Sequence, residues 1–274
     1  MASPADKVTT ATLRARKGGG QGGDDRIAVL TAYDVVFARL ADAAGIDIVL
    51  VGDSLGMVVQ GERTTLPVTL DDIVYHTRIV SRGVQRAHLV ADMPFMSYQA
   101  SIEDGLRAAG RLMKEGRAEA VKLEGGVEVA ELIRRLVAAG IPVIGHVGMT
   151  PQSVHEFGGF KLQGRTAEQR AKILADARAV AEAGAYAIVV ETVPQSLAAE
   201  ITRAVPALTI GIGAGPDCDG QVMVMHDLLG LEPAWKPRFV RRYAEMGKAV
   251  GEAFAAYAAD VRAGRFPAPG ESYD

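Results

Sequence analysis

Asp53, Asp92, Glu124 and Glu191 each stand one or two positions after a short apolar run. The runs are Ile46–Val51, Leu89–Ala91, Ala120–Leu123 and Ala187–Val190, and their length and composition read as buried strands. If these strands are parallel neighbours, the four carboxylates gather at one end of a sheet or barrel. Like charges crowd together only where a cation or a proton relieves their repulsion. The placement therefore points to a divalent ion with a general base beside it. A single Asp after a strand is as readily a turn or helix cap, but a repeat on successive strands argues for a shared task. The ligand types are oxygen alone, with no Cys/His spacing, so a hard cation is expected, magnesium before zinc.

Lys122 and Glu124 are two residues apart, so on a strand both face the same side. Lys122 is placed either to bind a substrate carboxylate or to neutralise the acids; a structural ion pair is the plainer alternative. Nothing specific supports a Schiff base. Asp53 lies between Gly52 and Ser54, with Gly56 beyond, so backbone can approach a ligand and a hydroxyl is at hand. Glu191 ends a very apolar strand, where burial would raise its pKa toward that of a general base. His146 directly follows another apolar run and is either a catalytic imidazole or a satisfied buried one. Gly211–Gly215 has the glycine content of a phosphate-cradling turn, a weak signal by itself. His76, His88, His155 and His226 have no metal-ligand spacing and read as structural or surface residues.

The elements that must position these groups alternate along the chain. Strand Ile27–Leu30 precedes helix Val35–Ala44, and Ile46–Val51 precedes helix Thr69–Ser81, started by Thr69 with Asp71 and Asp72 in the first turn. Strand Leu89–Ala91 leads to helix Ser101–Glu115, where Ser101 and Asp104 are expected to form a capping box. Then come Ala120–Leu123 and helix Val127–Ala139, strand Pro142–Gly145 and helix Thr166–Glu182 with Thr166 as its cap, and strand Ala187–Val190 with helix Gln195–Val205. Strand Leu208–Ile212, helix Gly220–Leu229, a weak strand over Arg238–Val240 and a helix over Ala244–Ala263 complete eight units. The crossovers are long enough for parallel strands. Eight such units match a (β/α)8 TIM barrel, whose active sites lie at the C-terminal strand ends. An open doubly wound sheet would show a Gly-rich turn after its first strand, and Leu30–Asp34 contains no glycine.

With 49% apolar and 23% charged residues over 274 positions, the composition is that of a globular protein. The net charge of −3, with acids and bases interspersed, speaks against a nucleic-acid or anionic-membrane surface. No apolar stretch approaches the ~20 residues that span a bilayer. One cysteine, Cys218, excludes an intrachain disulfide and accords with a reducing cytoplasm. The N-terminal 25 residues lack a secretory core and carry the glycine-rich run Gly18–Gly23, so a flexible segment is expected over 1–25. A single catalytic domain is expected over 26–264 and a tail over 265–274.

At these residues the chain resembles the ketopantoate hydroxymethyltransferases. The resemblance spans about Ile27 to Gly264 and rests on ordered matches. They include Leu30–Asp34, Val51–Gly56, Thr65–Thr69, Ala91–Phe95, Val121–Gly126, Gly145–Gln152 and Gly211–Gly215. It departs from the family at Gly18–Gly23, where members usually carry a short charged turn. The resemblance implies a barrel of the phosphoenolpyruvate/pyruvate type and a bound Mg²⁺ held by Asp53 and Asp92, with Glu124 a direct or water-mediated third ligand. Asp53, Ser54, Asp92 and Lys122 would hold the 2-oxo acid 3-methyl-2-oxobutanoate, and Glu191 would be the proton acceptor. The co-substrate would be 5,10-methylenetetrahydrofolate, the product 2-dehydropantoate, and the assembly a decameric ring. Lyases of the isocitrate lyase type carry a catalytic Cys in a Lys-Arg-Cys-Gly-His stretch that this chain lacks. A catalytically silent ring-forming homologue would have lost one of the acids, and all are present.

Overall fold

The computed structural model describes residues 7–18, 26–232 and 237–273. Residues 1–6 and 19–25, with Gly19–Gly23 and most of the expected flexible segment, lie outside the described residues. The chain falls into two compact units, Met1–Val224 and Met225–Asp274.

The first unit is built from α1 (Thr10–Arg14), β1 (Ile27–Thr31), α2 (Val35–Ala43), β2 (Ile48–Val51), α3 (Leu55–Val58) and α4 (Leu70–Val80). It continues with β3 (His88–Asp92), α5 (Ile102–Lys114), β4 (Ala120–Glu124), α6 (Ala130–Ala138), β5 (Val143–Gly148) and α7 (Ala167–Glu182). The last elements are β6 (Ala187–Glu191), α8 (Gln195–Ala204), β7 (Leu208–Ile212) and β8 (Gly220–Met223). The eight strands pair in parallel, each with its sequence neighbours, and β8 pairs with β1 to close the barrel.

The closing strand is not the one the sequence pointed to. Gly220–Met223, expected to begin a helix, is β8, whereas Arg238–Val240 is a turn. Four residues of Gly-Gln-Val-Met carry little β signal, and pairing to β7 on one side and β1 on the other supplies what propensity does not. Gly220 is needed there: a Cβ would stand 2.5 Å from the Ile27 carbonyl oxygen.

The strands are apolar on both faces because a parallel barrel covers both. Inward rows such as Val90, Ala120, Ile144, Ala187, Val189 and Ile210 form the interior core. Outward residues meet helices; a Cβ on Gly145 would lie 2.3 Å from Val180 of α7. Helix α5 buries Gly105, Ala108, Ala109 and Leu112, the spacing of one helical face. At α4 Thr69 and Asp72 are reciprocally bonded, as are Thr166 and Gln169 at α7. At α5 Ser101 Oγ accepts the Asp104 N–H at 3.1 Å, but the return bond to the Ser101 N–H that completes a capping box is not made.

Val8 and Leu13 join the interior core from the N-terminal side, bonded through Val8 N–H to Arg86 O at 2.8 Å. Lys7 pairs with Glu119 at 2.8 Å, and Lys17 with Asp219 at 2.9 Å. Burial would raise the Glu119 carboxyl, but His88, Lys7 and the Leu89 N–H outweigh it and hold it at about 2, below the ordinary 4.5. A depressed carboxylate contributes stability that is complete above its unfolded pKa and is lost as pH falls through the folded one. The unfolding free-energy difference between the native chain and Glu119→Gln should therefore shrink from about pH 5 toward pH 2 in acid denaturation series. A difference independent of pH would refute the linkage.

The second unit contains α9 (Met225–Leu229) and α10 (Met246–Arg262). No residue of α10 is buried, and Phe254 and Tyr257 are 70% and 59% exposed. The Tyr257 ring meets Phe266 edge-on at 5.4 Å.

Candidate active site

The inward rows change character at their C-terminal ends. Val90 is followed two residues later by Asp92, Ala120 two and four residues later by Lys122 and Glu124, Ile144 two later by His146, and Val189 two later by Glu191. Period-two geometry keeps each polar residue on the face its apolar predecessor uses. Strand register then sets these ends side by side: Asp92 opposite Lys122, Glu124 opposite His146, and Gly148 opposite Glu191. Asp53, two residues beyond β2, arrives through the turn that begins at Gly52.

All of the expected acids therefore meet at one mouth. Lys122 Nζ lies 3.1 Å from Asp92 Oδ1 and 3.4 Å from His146 Nδ1. His146 stands between two carboxylates, with Nδ1 3.4 Å from Glu124 Oε1 and Nε2 3.2 Å from Glu191 Oε2. The Nε2 contact is ionic, without the alignment of a hydrogen bond. The Asp53 N–H donates to Asp92 Oδ2 at 2.9 Å. Ser54 Oγ is 2.8 Å from the Tyr33 hydroxyl. Two glycines make the approach possible: a Cβ on Gly52 would lie 2.7 Å from Ser54 Oγ, and one on Gly148 would lie 2.4 Å from the Glu191 carbonyl oxygen.

Burial leaves these charges poorly solvated. Burial first, then the Asp92 and Glu124 charges, hold the Asp53 carboxyl well above the usual carboxylate range, against the opposing effect of Lys122. Burial raises Asp92 as well, although Lys122 and the Asp53 N–H pull the other way. For Lys122 burial favours the neutral amine, but Asp92, Glu124 and Asp53 outweigh it and keep the ammonium charged. Burial and Lys122 push His146 down, yet Glu124 and Glu191 prevail and raise it to about 9.

The donor set fits a hard cation. Asp92 Oδ1 and Glu124 Oε1 are buried acceptors without a hydrogen-bond donor, although each faces a cationic side chain. As placed, no three His, Cys, Asp or Glu side chains among the described residues converge at chelating distance. Asp53, Asp92 and Glu124 could together hold an ion of the kind that retains much of its hydration.

Sequence reasoning missed Gln152 and the two tyrosines. Gln152 Nε2 donates to Asp53 Oδ2 at 2.9 Å and to Met93 O at 3.0 Å, while its N–H donates to Glu124 Oε2 at 2.9 Å. The Tyr98 hydroxyl lies 2.8 Å from Gln152 Oε1 and accepts from the Glu124 N–H at 3.0 Å. Gln152 thus fixes one oxygen of each of two acids, while Glu124 Oε1 stays beside His146. It stands within the matched Gly145–Gln152 stretch, but an uncharged side chain with no ligand spacing gave no reason to single it out. Gln152→Leu should lower the unfolding free energy by about 1–3 kcal/mol for each buried group left unpaired. Denaturant titration checks this, and an unchanged midpoint would contradict it.

The Gly211–Gly215 turn is tied by Gln221 Nε2, which donates to Gly215 O at 2.9 Å. Cys218 is buried in the loop that follows.

A sequence profile of ketopantoate hydroxymethyltransferase matches residues 7–269. The chain belongs to the ketopantoate hydroxymethyltransferase family. It is 54% identical over 275 residues to a 3-methyl-2-oxobutanoate hydroxymethyltransferase of Anaeromyxobacter sp. (strain K), covering 99% of this chain and 89% of the relative. It is 52% identical to the enzyme of that name from Carboxydothermus hydrogenoformans, covering 98% and 96%. Its barrel is similar to phosphonopyruvate hydrolase solved with oxalate and Mg²⁺, with TM-score 0.60 and 15% identity over 93% of this chain and 88% of that one. A 2,3-dimethylmalate lyase of the PEP mutase/isocitrate lyase superfamily has TM-score 0.59 and 18% identity, over the same 93% and 88%. These likenesses show that the chain shares the barrel fold of those structures.

Proposed function

We propose that this chain transfers a hydroxymethyl group from 5,10-methylenetetrahydrofolate to 3-methyl-2-oxobutanoate, giving 2-dehydropantoate on the route to pantothenate and coenzyme A. The observation that carries the reading is the single mouth holding Asp53, Asp92, Lys122 and Glu124 beside the His146–Glu191 pair. Asp53 and Asp92 would hold Mg²⁺, with Glu124 a direct or water-mediated third ligand. The ion, when bound, supplies positive charge for the enolate oxygen.

The chain's own groups perform the remaining tasks. Ser54 and Lys122 hold the 2-oxo acid, with Lys122 offsetting its carboxylate charge. Glu191 takes the proton from C3, and His146, 3.2 Å away, fixes the carboxylate and steadies its charge. The carbanion then forms a bond to the one-carbon unit of the folate. Water supplies the hydroxyl oxygen as the carbon–nitrogen bonds break, and tetrahydrofolate leaves. Tetrahydrofolate formation by purified protein should require both 3-methyl-2-oxobutanoate and Mg²⁺; formation without either would contradict the reading.

Lys122→Ala should raise the KM for the 2-oxo acid more than that for the folate. Steady-state kinetics with each substrate varied decides this, and a rise confined to the folate would move Lys122 to the other ligand.

The same reading makes the protein a cytoplasmic homo-oligomer, a decameric ring. The exposed aromatic residues of α10 support self-association, because apolar surface of that kind is rarely left to water. Among the described residues no helix is long and apolar enough to cross a membrane.

A further inference from the structure

From the cavity beside the base-bearing strand we infer that the loop between β5 and α7 holds the p-aminobenzoylglutamate end of the reduced folate. The inference rests on the folate reading above. A cavity of about 650 Å³ lies here, lined by Phe157, Lys161, Leu162, Gln163 and Arg165 among others. That volume is in the range of small-molecule sites.

The loop is anchored to the segment that follows Glu191. Gln163 N–H donates to Thr192 O at 3.0 Å, and Gly164 is packed so closely on Leu197 that a Cβ would lie 2.6 Å from it. Gly158, Gly159 and Gly164 have φ of +63°, +117° and +75°, conformations that side chains rarely adopt. Lys161 Nζ sits over Gly158, 3.0 Å from where a Cβ would be. Phe160 and Leu162 of the same loop are 47% and 45% exposed.

The chemistry of the co-substrate sets the direction. Its reactive methylene bridges the pterin and the p-aminobenzoyl group, so with that carbon at C3 of the 2-oxo acid, the tail must leave over the rim. The tail has an aromatic ring followed by carboxylates. The cavity offers an aromatic and an aliphatic side chain, Phe157 and Leu162, together with two cations and one acid, Glu156. Lys161 and Arg165 are exposed and form no ion pair with another side chain among the described residues.

A second cavity, about 500 Å³, lies on the other side of the rim, by Phe95 and Met96. Its arginines are already engaged, Arg107 by Asp104 and Arg111 by Asp71 and Glu115. Of these two cavities, the first offers uncommitted positive charge to a dicarboxylate.

Calorimetric titration of the full chain with tetrahydrofolate, and with tetrahydropteroate, which lacks the glutamate, tests the assignment. The native protein should bind tetrahydrofolate at least about tenfold more tightly, the effect of one charge-assisted hydrogen bond. The double variant Lys161→Gln/Arg165→Gln should lose that preference. Equal binding of the two compounds by the native protein, or full preference kept by the variant, would overturn the groove. Failure of the transfer reading would show separately, as absent turnover with glutamate-dependent binding intact.

Discussion

Asp53→Asn and Asp92→Asn should each lower turnover by at least about 100-fold, the loss expected when a charged group that organises a transition state is removed. Each should also weaken Mg²⁺ binding, measured by calorimetry on protein stripped with chelator. The two acids are not equivalent in their surroundings. Asp53 is held by the Gln152 amide at 2.9 Å, whereas Asp92 accepts from the Asp53 N–H and faces Lys122 at 3.1 Å. An amide at position 92 would leave the Lys122 ammonium with one fewer buried counter-charge, so Asp92→Asn should also destabilise the fold more than Asp53→Asn. Full activity of either variant in chelator-treated buffer would remove that residue from the metal site.

Enolisation should fail when Glu191 becomes an amide while the fold, the ion and the bound 2-oxo acid persist, since none of these needs a basic carboxylate there. In deuterated buffer with Mg²⁺ and no folate, the native protein should exchange the C3 hydrogen of 3-methyl-2-oxobutanoate. Glu191→Gln should do so at least about 100-fold more slowly, the low end of what a positioned general base contributes. Exchange at the native rate would transfer the role to another group, with His146 the neighbour in reach at 3.2 Å. Loss of 2-oxo acid binding would instead give Glu191 a structural task.

The barrel and the direction in which its acids converge were legible in the chain itself. Strands such as Ile27–Thr31, Ile48–Val51 and Ala187–Glu191 hold four consecutive apolar residues, as a sheet covered on both faces requires. A carboxylate ending such a run can face only the mouth, because the interior has no room for its charge. Local caps at Thr69 and Thr166 were readable for a similar reason: their bonds close within three residues.

What tertiary structure decided lies in contacts between distant segments. Strand β8 is made by its two neighbours rather than by its own four residues, and the Arg238–Val240 candidate pairs with no strand among the described residues. The role of Gln152 arises from Asp53, 99 positions away, and from Glu124, 28 positions away. His146 showed as a lone imidazole in the sequence; the β4–β5 and β5–β6 registers set it between Glu124 and Glu191. Periodicity tells which face of a strand a residue uses, because that follows from backbone geometry at the residue itself. Which residue it meets across that face depends on register, and register is set only when all eight strands close on one another.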